Sequence, residues 1–108
     1  MNEEKKQVIA ASKVTSEGIE AKIFSVEYMV MPNSTVTVCN ITMNSGFSVR
    51  GESACVDPRN FDKATGQNLA YMDAFSKLWQ LEGYLLAERR HEANPVRWSR
   101  DDKQTNLA

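Results

Sequence analysis

The chain has few of the residues from which catalytic and metal sites are usually built. Its 108 residues include one histidine, His91, and two cysteines. An HExxH motif and any zinc site with several histidines are therefore excluded, and the P-loop, GxGxxG and GxSxG motifs are also absent. Ser53 and Cys55 have no base nearby in the sequence, so we expect them to pack under a helix rather than act as nucleophiles. The sequence predicts a binding protein without metal or cofactor, not an enzyme.

Long apolar runs and a large net charge are missing too. No segment approaches the about 18 apolar residues of a membrane span. A net charge of -1 gives no long-range attraction for a nucleic acid polymer or an anionic membrane, whereas a small anionic ligand needs only a few local cations. Residues 1–6 are polar and no apolar segment follows them. We therefore expect no secretory signal, reduced thiols and a cytoplasmic location.

The first half of the chain contains alternating apolar and polar side chains. The alternation runs from Ile19 to Met43 and resumes after a short break, which is the period-2 pattern of strands. Pro32-Asn33-Ser34 and Asn44-Ser45-Gly46 interrupt it with residues typical of turns. We expect a three-stranded antiparallel meander. A further short strand at Val8 to Ala11 would make it a three- to four-stranded sheet over residues about 8–56.

The second half of the chain predicts two helices that cover this sheet. Asp57 and Pro58 are suited to the N-cap and the first position of a helix, so we expect a long helix over about 58–78. Gly83 weakens a helix, and we expect a break followed by a shorter helix over about 81–91. The fold class is therefore α+β.

The predicted long helix carries two stripes beside each other. The first consists of small residues four apart, Gly66, Ala70 and Ala74. The second consists mainly of large apolar residues, Leu69, Met72, Phe75 or Ser76, and Trp79. Small residues let a helix approach a sheet or another helix closely, and a chain this short cannot cover both stripes, so we expect a homodimer. We also expect Trp79 to fill the space between helix and sheet.

These elements divide the chain into three parts. Residues 1–18 mix lysine, glutamate, serine and glycine and are predicted to be a flexible lead-in. A single domain follows at 19–91. Residues 92–108 are predicted to be a polar tail, apart from Val96 and Trp98, which could dock on the domain.

Candidate ligand-binding residues lie mainly near the ends of the predicted helices. Phe61 could stack on a base while Arg59 and free backbone N–H groups meet a phosphate. The alternative for Phe61 is a purely structural role, sealing the core under the turn. Arg89 and Arg90 could clamp a phosphate, or they could simply face solvent and the helix dipole. The full predicted ligand-binding set is Phe61, Arg89, Arg90, Arg59, Asp73 and Arg50.

Three motifs carry a resemblance that covers about residues 19–91. They are Gly51-Glu52-Ser53-Ala54-Cys55, Asn60-Phe61-Asp62 and Trp79-Gln80-Leu81-Glu82-Gly83-Tyr84-Leu85-Leu86. Together they resemble a family of small phage and prophage proteins, which is similar to the first-described class of Thoeris anti-defence proteins. Members often have proline after the motif tryptophan, where this chain has Gln80. The helix could therefore run further here before it bends.

The resemblance implies a phage protein that sequesters a nucleotide signal in the cytoplasm of an infected bacterium. Thoeris anti-defence proteins bind cyclic ADP-ribose isomers made by bacterial TIR immune enzymes, and some also bind cyclic oligonucleotides. They do not cleave the ligand, and they form dimers that can assemble into hexamers. We therefore expect a homo-oligomer that binds a small nucleotide second messenger. Two rival functions are direct inhibition of a host protein and, more weakly supported, cleavage of a nucleotide.

Overall fold

The computed structural model describes residues 13–95. Their elements are α1 (Ser16–Glu20), β1 (Ile23–Val30), β2 (Val36–Met43), β3 (Ser48–Ala54), a 3-10 turn (Pro58–Asn60) and α2 (Lys63–Ala93). The three strands form one antiparallel sheet in the order β1-β2-β3, and α2 packs on one face of it. The predicted α+β class is therefore confirmed. The strand predicted at Val8 to Ala11, like Val96 and Trp98, lies outside the described residues.

The two turns of the meander use residues that tolerate positive φ. Asn33 has φ of 56° between β1 and β2, and Gly46 has φ of 94° between β2 and β3. The N–H of Gly46 donates to the Met43 carbonyl at 2.9 Å, which closes the second turn. Both predicted turns are confirmed. Asparagine and glycine suit these positions because they adopt positive φ with little steric strain.

The stripe of small residues is what brings α2 onto the sheet. Ala70 and Ala74 are fully buried against it. On the strand side, a Cβ on Gly51 would lie only 2.2 Å from the Ala74 nitrogen and 2.4 Å from the Ala70 carbonyl oxygen. Helix and strand backbones are therefore in direct contact, and the small stripe is used within the chain rather than against another helix.

The core lies between the sheet, α1 and the first half of α2. Its buried apolar residues are Ile19, Cys39, Ile41, Met43, Val49, Ala70, Ala74 and Leu78. Burial raises the pKa of the Cys39 thiol, so it stays protonated at neutral pH. Cys39 and the half-buried Cys55 are both free thiols.

The helical part of the chain differs from the prediction in its boundaries. Asp57 caps only the 3-10 turn, where its carboxylate accepts from the Arg59 N–H, and α2 begins later, at Lys63. The predicted break near residue 80 is wrong, because α2 continues without interruption to Ala93. One glycine costs a helix only about 1 kcal/mol, and the leucine, glutamate, alanine and arginine residues around Gly83 are strong helix formers.

Trp79 does not fill the space between helix and sheet, as the sequence led us to expect. It is 40% exposed and packs edge-on against Phe75, with the ring centroids 6.5 Å apart. Phe75 in turn packs against Tyr71 at 5.5 Å. These three side chains, here called the aromatic row, lie on a flank of α2, because the inner face is occupied by Ala70, Ala74 and Leu78.

Candidate functional site

Helix α2 is much longer than the sheet on which it rests. Its 31 residues span about 46 Å, whereas strands of 7 or 8 residues span only about 26 Å. The contacts with the sheet run from Gly66, beside Thr37, to Lys77, whose ammonium donates to the Arg50 carbonyl. Beyond Leu78 the helix projects past the strands of the β2–β3 hairpin, so its inner face there faces the turn of the hairpin and no strand covers it.

A cleft of about 500 Å³ lies between this projecting half of α2 and the hairpin. Its floor is apolar and continues the core stripe of the helix. The floor residues are Met43, Leu78, Leu81 and Leu85. The volume falls within the range of about 300–1,000 Å³ that is usual for small-molecule sites.

Two exposed aromatic side chains also line the cleft. Phe47, on the hairpin, is 58% exposed, and Tyr84, on α2, is 68% exposed. A hydrogen bond to Glu88 and the charge of that carboxylate raise the pKa of Tyr84, so its hydroxyl keeps its proton at neutral pH. Rings with free faces beside an apolar floor offer surfaces on which a planar ligand can stack.

Three charged residues line the same cleft. Lys22 and Glu82 form an ion pair with Nζ and Oε1 2.8 Å apart, and Arg89 lies two helical turns beyond Glu82. Arg89 has no ion-pair partner among residues 13–95. Lys22 is positioned by its backbone, since its carbonyl accepts from the Asn44 N–H at 2.8 Å. The cleft therefore combines an apolar floor, two aromatic rings and two cations.

Of the residues predicted to bind a ligand, only Arg89 lies at this cleft. Arg90 is the next residue on α2 and is exposed, but it does not line the cleft. Its carbonyl accepts from the N–H of Asn94 at the end of the helix. Two adjacent arginines on a helix point about 100° apart, so they cannot both face one cleft of this kind.

Arg59 and Phe61 lie at the opposite end of the helix. Arg59 forms a two-pronged pair with Asp57, at 3.2 Å from Nε and 3.0 Å from Nη2, and the pair lowers the pKa of Asp57. Phe61 is half-buried beside the start of α2. The helix places this end roughly 39 Å from Arg89, so within one chain the two predicted groups cannot touch the same nucleotide.

Asp73 and Arg50 make contacts that hold the fold together. The Asp73 carboxylate accepts from the N–H of Glu52 at 3.0 Å, joining α2 to β3. The Arg50 guanidinium donates to Asn40 and Ser48, both at 3.0 Å, on the side of the sheet that faces away from the helix. Neither residue lines the cleft.

The sequence did not lead us to predict Phe47, Tyr84 or Lys22 as site residues. Phe47 directly follows the hairpin glycine and Tyr84 lies within one of the recognised motifs, and both positions were available as signals. What hid them was the predicted break in α2, since two shorter helices would not project beyond the hairpin and would form no cleft there.

Within the described part of the chain, neither Ser53 nor Cys55 is hydrogen-bonded to a base. The Ser53 hydroxyl donates to the Gly66 carbonyl at 2.7 Å, and the Cys55 thiol donates to the Asp57 carbonyl at 3.1 Å. Ser53 therefore packs under the helix, as predicted, whereas Cys55 follows the end of β3 and contacts the turn before α2. Between residues 13 and 95 no three histidine, cysteine or carboxylate side chains are grouped to hold a metal ion. Nor does any helix in that range have the length and apolar character needed to cross a bilayer.

A comparison with known families identifies the chain. The model of the phage protein (N4 Gp49/phage Sf6 gene 66) family matches residues 14–90, more than two thirds of the sequence. The chain belongs to this family. The N4 Gp49/Sf6 gene 66 match confirms the predicted resemblance to phage proteins, and it includes α1, the sheet and every residue that lines the cleft. Neither a curated protein nor a solved structure matches the chain.

Proposed function

We propose that this member of the N4 Gp49/Sf6 gene 66 family is an anti-defence protein that binds and sequesters a cyclic nucleotide signal without cleaving it. The proposed ligands are the cyclic ADP-ribose isomers and, as a second group, cyclic oligonucleotides. The observation that carries the proposal is the meeting of Phe47, Tyr84, Lys22 and Arg89 around one apolar cleft. It would act in the cytoplasm of the infected host cell, as a homo-oligomer.

The chemistry of the cleft suits the two halves of a nucleotide. Base stacking on an aromatic ring is worth on the order of 1–3 kcal/mol and tolerates any base. A charge-assisted hydrogen bond to a phosphate is worth about 1.5–3 kcal/mol. Phe47 and Tyr84 offer the first interaction, and Arg89 offers the second. A ligand that uses both would bind far more tightly than one that uses either alone.

Sequestration rather than cleavage is favoured by the state of the nucleophiles. Ser53 and Cys55 both donate to backbone carbonyls, and neither lines the cleft. His91 is exposed near the end of α2 and also lies outside the lining. A nucleotide held in the cleft would be out of reach of Ser53, Cys55 and His91, so we expect it to leave chemically unchanged.

Direct inhibition of a host protein remains the second candidate function. It is supported by the aromatic row and by the neighbouring Met72, which is 59% exposed. Exposed aromatic and methionine side chains are common at protein interfaces. We place this function second because it does not account for the cleft and its cations.

Calorimetric titration with a cyclic ADP-ribose isomer tests the proposal. We expect Tyr84→Ala and Arg89→Ala to weaken binding about ten- to a hundredfold, the loss of one stacking or phosphate contact. Both side chains are exposed, so thermal melts should change little. Arg90→Ala is the matched control and should bind like the unmodified protein.

The same titration separates the cleft from the site predicted by sequence. If Phe61→Ala and Arg90→Ala weaken binding while Tyr84→Ala and Arg89→Ala do not, the ligand binds elsewhere and the cleft is not the site. If the ligand released by denaturation is hydrolysed rather than intact, sequestration is wrong. If no cyclic nucleotide binds but a host protein is bound in a lysate freed of small molecules, the second function replaces the first.

A further inference from the structure

The two cations of the cleft are not equivalent. Lys22 is bonded to Glu82 at 2.8 Å, whereas Arg89 has no such partner within the described residues. The cleft lining therefore holds one carboxylate against two cations. A pyrophosphate-containing ligand carries two negative charges, so it would need both cations. Glu82 competes with the ligand for one of them, Lys22.

The exposure of the two side chains indicates whether Lys22 or Glu82 moves when the ion pair opens. The Glu82 side chain is only 19% exposed and is fixed on the helix, whereas the Lys22 side chain is 43% exposed. A lysine ammonium has three donors on a flexible stem and can turn. The Lys22 backbone is held on both sides, its N–H donating to Ile19 at 2.9 Å and its carbonyl accepting from Asn44. The ammonium can therefore move while its attachment point stays in place.

We propose that the Lys22–Glu82 pair is an exchangeable anion site, in which a ligand phosphate replaces the Glu82 carboxylate on Lys22. This inference rests on the proposed function and specifies how the cleft takes up a charged ligand. Glu82 is then a competitor that lowers the affinity for nucleotides, and it acts through Lys22. Its removal should strengthen binding, the opposite of what removing a contact residue does.

The test is a titration of a cyclic ADP-ribose isomer into the full chain and its variants. Glu82→Gln removes the charge and keeps the shape of the side chain. We expect it to bind roughly three- to thirtyfold more tightly, the effect of one charge a few ångströms away at a partly exposed site. Lys22→Gln should bind at least threefold more weakly. Asp57→Asn makes the same charge change in the ion pair with Arg59, outside the cleft, and should leave affinity unchanged.

A double variant, Lys22→Gln with Glu82→Gln, separates competition from simple repulsion. If Glu82 acts through Lys22, the gain from Glu82→Gln shrinks strongly once Lys22 is replaced. An equal gain in both backgrounds means that Glu82 repels the phosphate through space, and it overturns the exchange. The two glutamines of the double variant can form a neutral hydrogen bond in place of the ion pair. A thermal melt of this variant therefore shows whether loss of the two charges alone disturbs the fold.

The outcomes distinguish this inference from the function on which it rests. Binding by the unmodified protein, together with equal or weaker binding by Glu82→Gln, overturns the exchange and leaves the proposed function standing. Absence of binding by the unmodified protein and by every variant overturns the proposed function itself.

Discussion

At the scale of single residues, Thr37 is a buried polar residue whose hydrogen-bonding capacity is not satisfied. Its hydroxyl is buried under α2 and has no hydrogen-bond partner within the described residues. This hydroxyl should lower the free energy of unfolding, because a buried polar group without a partner costs about 1–3 kcal/mol. Thr35, only two residues earlier, differs in that its hydroxyl donates to the Cys55 carbonyl.

We expect Thr37→Val to raise the free energy of unfolding by about 1 kcal/mol, because it replaces an unsatisfied hydroxyl with a methyl group of similar size. Thr35→Val is the matched control, since it removes a satisfied hydroxyl, and it should lower the free energy by about 0.5–1.5 kcal/mol. Urea denaturation of both variants checks the pair. Equal destabilisation by the two changes would show that Thr37 has a partner after all.

At the scale of elements, the two glycines at the helix–sheet interface and in the projecting helix have opposite roles. A Cβ on Gly51 would overlap the backbone of α2 at 2.2 Å, whereas a Cβ on Gly83 would meet nothing within 4 Å. The first glycine permits the helix to lie on the strand. The second only adds flexibility to the part of α2 that projects beyond the hairpin.

The two Gly→Ala substitutions should therefore change stability in opposite directions. We expect Gly51→Ala to lower the free energy of unfolding by at least about 2 kcal/mol, because helix and strand must separate. Gly83→Ala should raise it by about 0.5–1 kcal/mol through helix propensity. Thermal or chemical denaturation followed by circular dichroism measures both. A neutral Gly51→Ala would contradict the backbone contact.

The sequence predicted the elements better than the site. Alternation identified the strands, and turn residues such as Gly46 identified their connections, because both depend on local chemistry. The continuity of α2 through Gly83 was missed, since one unfavourable residue is outweighed by many favourable neighbours. The cleft depends on that continuity and on the position of Phe47 across from the helix. Such a juxtaposition of distant residues cannot be found from spacing along the chain.

At the scale of the whole molecule, one flank of the fold is left open. Helix α2 packs on β2 and β3, while Tyr28 of β1 and the aromatic row remain partly exposed on the same side of the sheet. Between residues 64 and 79, the only charges on α2 are Asp73 and Lys77, and both bond to β3 on the other flank. On this flank α2 therefore presents no charge of its own between residues 64 and 79, and the nearest charged group acting on the aromatic row is Glu20 of α1, beside Tyr71.

We expect this flank to form the interface of a homodimer, as predicted from the large apolar stripe. Met72→Glu should convert the protein to a monomer at micromolar concentration, because a charge buried without a partner is costly. Gln80→Glu places the same charge on another exposed position of α2 and is the control. Light scattering measures the mass of each. A stable monomer in the unmodified protein would rule the dimer out.

The overhang of α2 has a consequence for local stability. The turns that rest on the sheet can open only when the core opens, whereas the turns beyond Leu78 are held by fewer buried contacts. Amide hydrogens in those later turns should therefore exchange with solvent faster than those near Ala70 and Ala74. Occupation of the cleft would slow the exchange of the later turns alone. The side of the cleft formed by Tyr84 and Arg89 can thus adjust its shape to a ligand while the rest of the protein stays folded.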